Sequence, residues 1–404
     1  MPTHVGPNIS GEENLVFGFD LSDQKNSYLG EPTTNYFASF GIAMPNLSGG
    51  NVTTTLPDGT TGTVFRVTVN SNSNTSRCSM GINLSNQIPQ ANVSYTVSHW
   101  IRTTTSVPVA AGWEAEVGSP DGYVRPSFES GYIGNYGSFV QPNTISSTWQ
   151  RVTYTYSYNT TKTSNITPFI YFGSPIGGTQ DTIGATIDFY GFQFEVNSHS
   201  TPYTTTSRSS TQGLLDLAKN NTINISGVSF NSSAQMVFDG TDDQITLLNP
   251  TQIIPNTSNF TIDMVIKSDT TDRMWYVSGY NGGAGPGYYA IGSQDGYFMY
   301  DMKTSTGGRQ ENTGFVTMNV GRIYHIIATR DISGLKIYVN GILQTTNSTV
   351  STYNMNETTI RFGNEYGVRQ YINGAIYYYK HYNRSLSSSE VLNNYNNIKR
   401  KYGI

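Results

Sequence analysis

The stretch Ile323–Leu343 constrains this chain more than any other. Tyr324, Ile326 and Ala328 alternate with His325, Ile327 and Thr329, and beyond Asp331–Gly334 the residues Leu335, Ile337 and Val339 alternate with Lys336, Tyr338 and Asn340. Successive side chains of a strand point to opposite faces, so two period-two runs around a glycine-containing loop predict a β-hairpin. Asn340-Gly341 ends the second run, and both residues tolerate the positive φ that a type I′ turn needs.

Composition extends this reading to the whole chain. Its 404 residues suit two or three domains. The apolar share owes much to 29 Tyr and 18 Phe, and 41 Gly accompany abundant Asn, Ser and Thr. Tyr, Phe, Thr and Val fit half-buried strands, whereas Gly and Asn fit turns. The predicted class is all-β. A net charge of −4, thinly spread, offers no basic stripe for nucleic acid. Cys78 is the lone cysteine, so no intrachain disulfide forms, which leans towards folding in a reducing cytosol. No signal peptide is visible after Met1, and no apolar run reaches spanning length, so no membrane insertion is expected.

Four segments follow. Residues 1–25 read as an N-terminal arm with a first strand, Leu15–Phe19, ended by Asp20–Asp23. Residues 26–205 read as a β-sandwich with strands at Gly62–Val69, Tyr95–Arg102, Trp149–Tyr156, Pro168–Phe172 and Thr186–Val196. In the second of these, Tyr95, Val97, His99 and Ile101 share one face. Residues 206–213 close a Ser/Thr-rich linker beginning near Ser198. Residues 214–404 read as a second sandwich. It ends in a short α-helix, announced by the capping box Ser387–Glu390, the staple Leu386/Val391 and a possible stop at Gly403. Lys399–Lys401 then lie in the last turn, where cations meet the negative end of the helix dipole, so the run needs no ligand.

Two resemblances are carried by these motifs. Trp149-Gln-Arg-Val152 followed by Ile187-Asp-Phe189 and Phe192-Gln-Phe-Glu195 resembles jelly-roll carbohydrate-binding modules over the second half of the first sandwich; in such modules the Trp149 position packs inward. Phe238-Asp-Gly-Thr-Asp-Asp243, the hairpin ending Tyr338-Val-Asn-Gly341, and the strand Gly374–Arg384 resemble laminin G-like, concanavalin A-like jelly rolls. The resemblance as a whole is to structural proteins of tailed-phage virions. It implies two tandem antiparallel β-sandwiches displayed on the particle exterior as a lectin-like appendage of tail-fibre or adhesin type, with host-surface glycans among its contacts. A capsid decoration or a neck or collar protein that binds other virion subunits is the alternative. The protein would be made in the host cytoplasm and work as a homo-oligomer, with a trimer favoured by the symmetry of such appendages. The arm Met1–Asn14 has too little apolar content to fold alone and is expected to order against a partner.

Candidate chemistry is sparse. Glu114 and Glu116 sit two apart, as paired carboxylates of a glycosidase could. The acidic pattern of concanavalin-like glucanases is nevertheless broken at Ser119, which reads against a glycan-cleaving enzyme. None of the histidines His4, His99, His199, His325 and His381 has another at metal-ligand spacing. No catalytic residue is therefore assigned. Asp239, Asp242 and Asp243 could hold a structural Ca²⁺, a cation that prefers carboxylate oxygen, or could simply shape a turn; no other cofactor is expected. Trp113, Tyr123, Tyr132 and Tyr136, in the glycine-rich region Ala111–Gln141, are the candidate glycan-stacking residues. The same rings could instead pack their own loop or a neighbouring subunit.

Overall fold

The computed structural model describes residues 14–41, 47–70, 79–85, 90–106, 110–117, 145–157, 161, 166–173, 183–225, 227–231, 235–248, 259–280, 289–303, 309–348, 359–364 and 370–404. All strand pairs among them are antiparallel. The chain divides into two compact units, residues 33–208 and residues 1–32 with 209–404. Their order is nested: the second unit begins at the N-terminus, is interrupted by the first, and resumes. Each is a β-sandwich, as the alternation predicts, and one helix follows.

In the unit 33–208 a five-stranded sheet runs Leu47–Thr55, Thr61–Val69, Thr186–Glu195, Ser94–Thr103, Gln150–Ser157. A four-stranded sheet runs Phe37–Gly41, Ser79–Leu84, Ile166–Gly173, Ala110–Val117. Val67, Val97, Ile101, Ile187 and Phe194 of the first sheet meet Met80, Ile82 and Ile170 of the second in one core. His99 lies in it, stacked on Phe192 at 5.2 Å and 8°. Burial holds its imidazole down to about 3, so it stays neutral. The stretch 206–213, read from composition as a linker, is hydrogen-bonded on both sides of the unit boundary. Ser207–Arg208 pairs with Thr33–Thr34 within one unit, and the Gly213 carbonyl accepts from the Leu29 amide at 2.8 Å within the other.

The larger unit has an eight-stranded sheet whose main order is Ser229–Phe230, Met236–Asp239, Asn373–Tyr382, Phe260–Ser268, Ile323–Asp331, Gly334–Val339, Ile342–Asn347. Its eighth strand is Leu15–Asp20, which pairs with Asn373–Tyr382 in the register Phe17↔His381 and Phe19↔Tyr379. The facing sheet has seven strands: Thr222–Asn224, Ile245–Leu248, Thr359–Phe362, Met274–Tyr280, Tyr289–Gln294, Tyr297–Lys303, Arg309–Thr317. Phe17, Met264, Tyr324, Ile326 and Tyr379 fill the space between the sheets together with Tyr276, Ile291, Phe298 and Phe362.

The hairpin forms where the sequence places it, with Asp331 opposite Gly334. Asn340 and Gly341 have φ of 50° and 77° and close the next hairpin, Val339 opposite Ile342. Alternation predicts one buried face, yet Tyr324, His325, Ile326, Ile327, Ala328 and Thr329 are all buried. The reason is the helix Ser388–Tyr402, which covers the outer face of the sheet. Val391 packs with Ile327, Tyr338 and Tyr382, and Ile398 with Val265 and Tyr378. Ser387 caps the helix: its hydroxyl accepts from the Glu390 amide at 3.3 Å, while its own amide donates to Glu390 Oε2 at 2.8 Å. Gly403, left-handed at φ 69°, ends it.

Under the helix lies a polar cluster. Asp263 Oδ1 is 2.7 Å from His325 Nε2, and Asp263 Oδ2 accepts from Asn394 Nδ2 at 2.8 Å. Tyr395 stacks on His325 at 6.0 Å and 10°. Asn394 thus satisfies a buried carboxylate that the sheet alone would leave half-paired. The end of the helix holds the N-terminal strand: Lys401 Nζ is 2.6 Å from Asp20 Oδ2, and the Tyr402 hydroxyl donates to Asp20 Oδ1 at 2.9 Å. Burial pushes the Asp20 carboxyl up, but these and the Ser22 hydrogen bonds outweigh it and hold it below the usual range.

Candidate functional site

On the five-stranded sheet, period two sends Tyr95, Val97, His99 and Ile101 inward and Thr96, Ser98, Trp100 and Arg102 outward. Register aligns neighbouring strands on that outer face. Arg66 lies opposite Asp188, and Asp188 opposite Arg102. In the next row Tyr190 lies opposite Trp100, and Trp100 opposite Arg151. A register shift between Tyr190 and Gln193 bends the central strand here. Gly191, at φ 60°, makes room for the indole: a Cβ there would stand 2.8 Å from Trp100.

Half of this face is sealed. The segment after Glu195 folds back across it, so that Gln193, Glu195 and Thr201 are fully buried. Glu195 accepts from the Thr201 amide at 3.0 Å, the Thr201 hydroxyl at 2.6 Å and the Thr33 hydroxyl at 2.8 Å. Gln193 Nε2 donates to Thr201 Oγ1 at 2.8 Å and its Oε1 accepts from the Thr204 amide at 2.7 Å. The same segment delivers Tyr203 to the edge of the open half.

The open half carries four half-exposed rings. Tyr190 is the centre: its ring lies 6.0 Å from Trp100, 5.7 Å from Tyr203 and 6.5 Å from Trp149. Arg102 stands over Trp149 at 4.5 Å and Arg151 over Trp100 at 4.6 Å. Trp149 Nε1 donates to the Thr55 carbonyl at 2.9 Å, fixing the indole beside the hairpin turn that bears Asp58. Asp188, fully buried at its carboxylate, anchors the row. It accepts from Arg66 at 2.6 and 2.9 Å and from Arg102 at 3.1 Å, and holds Arg66 above its ordinary pKa. The result is a contiguous strip of rings on a rigid sheet, with carbonyls, hydroxyls and one carboxylate around it. Such a surface suits sugar rings, whose C–H faces stack on aromatic faces while their hydroxyls bond to the polar rim.

Trp149, expected to pack inward, lies on this outer face instead, because it precedes the strand Gln150–Ser157 and its indole is held by Thr55. Of the glycan candidates chosen from sequence, Tyr123, Tyr132 and Tyr136 lie outside the described residues. Trp113 is placed by its backbone on the four-stranded sheet, opposite Ile170, as Glu114 is opposite Phe169 and Glu116 opposite Thr167. The signal for Trp100 was available: it is out of phase with the apolar residues of its own strand, as an exposed ring must be.

The three candidate cation ligands do converge. Oxygens of Asp239, Asp242 and Asp243 all lie within 4.8 Å of one another, with Asp243 buried and the other two exposed. Asp243 already serves the turn, accepting from the Asp239 amide at 2.9 Å and from the Ser229 amide and hydroxyl at 3.2 Å. Burial raises its carboxyl above the usual range, and the nearby Asp239 carboxylate adds to this. Ca²⁺ takes about six to eight oxygens, so the outward oxygens of Asp239 and Asp242 would form one side of a shell. Among the described residues no other acidic or histidine cluster of this kind occurs.

Comparison with known proteins assigns the larger unit. Residues 239–392 match the profile of a family described as the concanavalin A-like lectin/glucanases superfamily. In fold and sequence this part of the chain is similar to concanavalin A-like jelly rolls. No curated protein matches the sequence. Similar solved structures include the botulinum neurotoxin serotype D ligand-binding domain in complex with N-acetylneuraminic acid (TM-score 0.39, 14% identity, 47% of this chain and 49% of that one). Others are the botulinum neurotoxin type G receptor-binding domain (0.37, 17%, 46% and 49%) and the binding domain of Paraclostridial Mosquitocidal Protein 1 (0.38, 20%, 46% and 49%). The chain spans about half the length of each.

Proposed function

We propose that the protein is a non-enzymatic, lectin-like surface protein that contacts glycans through the outer face of its inserted sandwich. The strip of half-exposed rings around Tyr190 carries this reading, because its side chains are held in place before any ligand arrives. Preorganised rings lose little entropy on binding. Replacing Trp149 or Tyr190 by alanine is expected to weaken binding to host polysaccharide roughly tenfold, near the upper end of what one aromatic contact contributes. Circular dichroism should stay unchanged, since neither residue belongs to a core cluster. A glycan array on which both variants bind as the parent does would refute the assignment of this face.

The order of motifs supports a finer setting: the exterior of a tailed-phage virion, as an appendage of tail-fibre type held in several copies, a trimer being favoured. Weak single contacts then add through multivalency. Attachment to other virion proteins is assigned to Met1–Asn14, whose composition favours ordering on a partner. A protein lacking Met1–Asn14 should fold but fail to enter particles, scored by its band in purified virions. Normal incorporation would move the attachment surface onto the sandwiches.

A further inference from the structure

We propose that the ring-lined face selects uncharged glycans over acidic ones, an inference that rests on the glycan-binding reading above. Three guanidinium groups border the rings, and at first sight they invite a sugar carboxylate or sulfate. Recognition of such an acid draws on an open guanidinium fork. Here the forks are engaged within the protein. Arg66 gives Nε and Nη2 to the two oxygens of Asp188. Arg102 gives Nε to Asp188 and Nη2 to Thr54 Oγ1 at 2.8 Å. Arg151 gives Nη2 to the Thr201 carbonyl at 2.5 Å and to Ser98 Oγ at 3.3 Å. Arg102 and Arg151 also each stand over an indole ring of the protein. Arg208 is buried behind the strip and donates to the Pro202 carbonyl at 2.7 Å.

The fully exposed charge beside the rings is negative. Asp58 is exposed, on the turn that follows the Thr55 carbonyl holding Trp149. Its carboxylate accepts from the Thr60 amide at 2.9 Å and hydroxyl at 2.7 Å, which keeps it ionised. An ionised carboxylate accepts hydrogen bonds from sugar hydroxyls and repels an acidic sugar. Glu195, the other acid of this face, is sealed beneath Thr201 and presents nothing outward. Rings, one outward acceptor and inward-directed cations together fit a neutral polyhydroxylated ring.

The test uses the full-length protein and pairs of polysaccharides that differ only in charge, a neutral hexose polymer and its carboxymethylated form, and a neutral and a sialylated oligosaccharide. Binding is read by titration calorimetry. The neutral member of a pair is expected to bind more tightly, with an affinity that holds within about twofold between roughly 50 and 500 mM NaCl, because no exposed ion pair is there to be screened. Asp58→Asn should improve binding of the acidic member relative to the neutral one. Tighter binding of the acidic member, falling steeply with salt, would overturn the selectivity while leaving glycan binding in place. Binding of neither member, by a protein whose circular dichroism is native, would overturn the glycan-binding function itself.

Discussion

Replacing Phe17 and Phe19 together by alanine is expected to unfold the larger unit and leave the inserted one folded. Both rings are fully buried, in a cluster with Phe362 and Tyr379 at ring separations of 4.8 to 6.2 Å. Truncating one buried phenylalanine costs about 3–5 kcal/mol. The two rings touch, so their costs will not add strictly, yet the sum is comparable with the roughly 5–15 kcal/mol that holds a typical domain together. Hydrogen exchange separates the units. Amides of Phe260–Ser268 should lose their protection, while those of Ser94–Thr103 keep theirs. Protection of Phe260–Ser268 within about 1 kcal/mol of the parent would mean that the N-terminal strand is an ornament of the sheet rather than part of its core.

Acid should weaken the larger unit through His381. Its ring is fully buried, Nε2 has no hydrogen-bond partner, and burial holds its pKa down to about 3. In the unfolded chain the same imidazole titrates near 6.5. Between these values the unfolded state binds a proton that the folded state refuses. The stability is therefore fully present above pH 6.5 and drains as pH falls towards 3, by about 1.4 kcal/mol per pH unit. From pH 6.5 to 5 the loss is about 2 kcal/mol. His381→Phe keeps a ring beside Phe260 and removes the proton site. The opening free energy of the slowest amides in Phe260–Ser268, corrected for intrinsic exchange, should then vary less with pH by that amount. An unchanged pH slope would show that His381 is not what acid acts on. His99 poses the same question in the inserted unit, where its pKa is held equally low.

Local grammar was legible and long-range partnership was not. The Asn340-Gly341 turn, the Ser387 cap and the Gly403 stop each depend on neighbours within four residues, and each is where the sequence places it. The partner of Leu15–Phe19 is more than 350 residues away, and no period or turn residue encodes that distance. Leu15–Phe19 reads as a strand from its own residues, but nothing in them names its partner. Burial of both faces of Ile323–Asp331 was hidden for the same reason: the alternation is genuine, but a distant helix covers the face it leaves polar or mixed. The exposed strip is less legible than aromatics gathered in a glycine-rich loop. Trp100 and Tyr190 instead sit in regular strands, where a ring ordinarily means core.

The clasp between the two ends has a consequence for synthesis. Leu15–Asp20 is made more than 350 residues before its partner Asn373–Tyr382, and the helix bearing Lys401 and Tyr402 comes later still. At roughly 5–20 residues per second the strand waits on the order of tens of seconds, its phenylalanines uncovered. Meanwhile the inserted sandwich emerges complete and can fold. The nascent chain is thus a finished domain carrying an unpaired sticky strand. A ribosome that stalls before Asn373 would leave a product prone to aggregate rather than a half-functional protein.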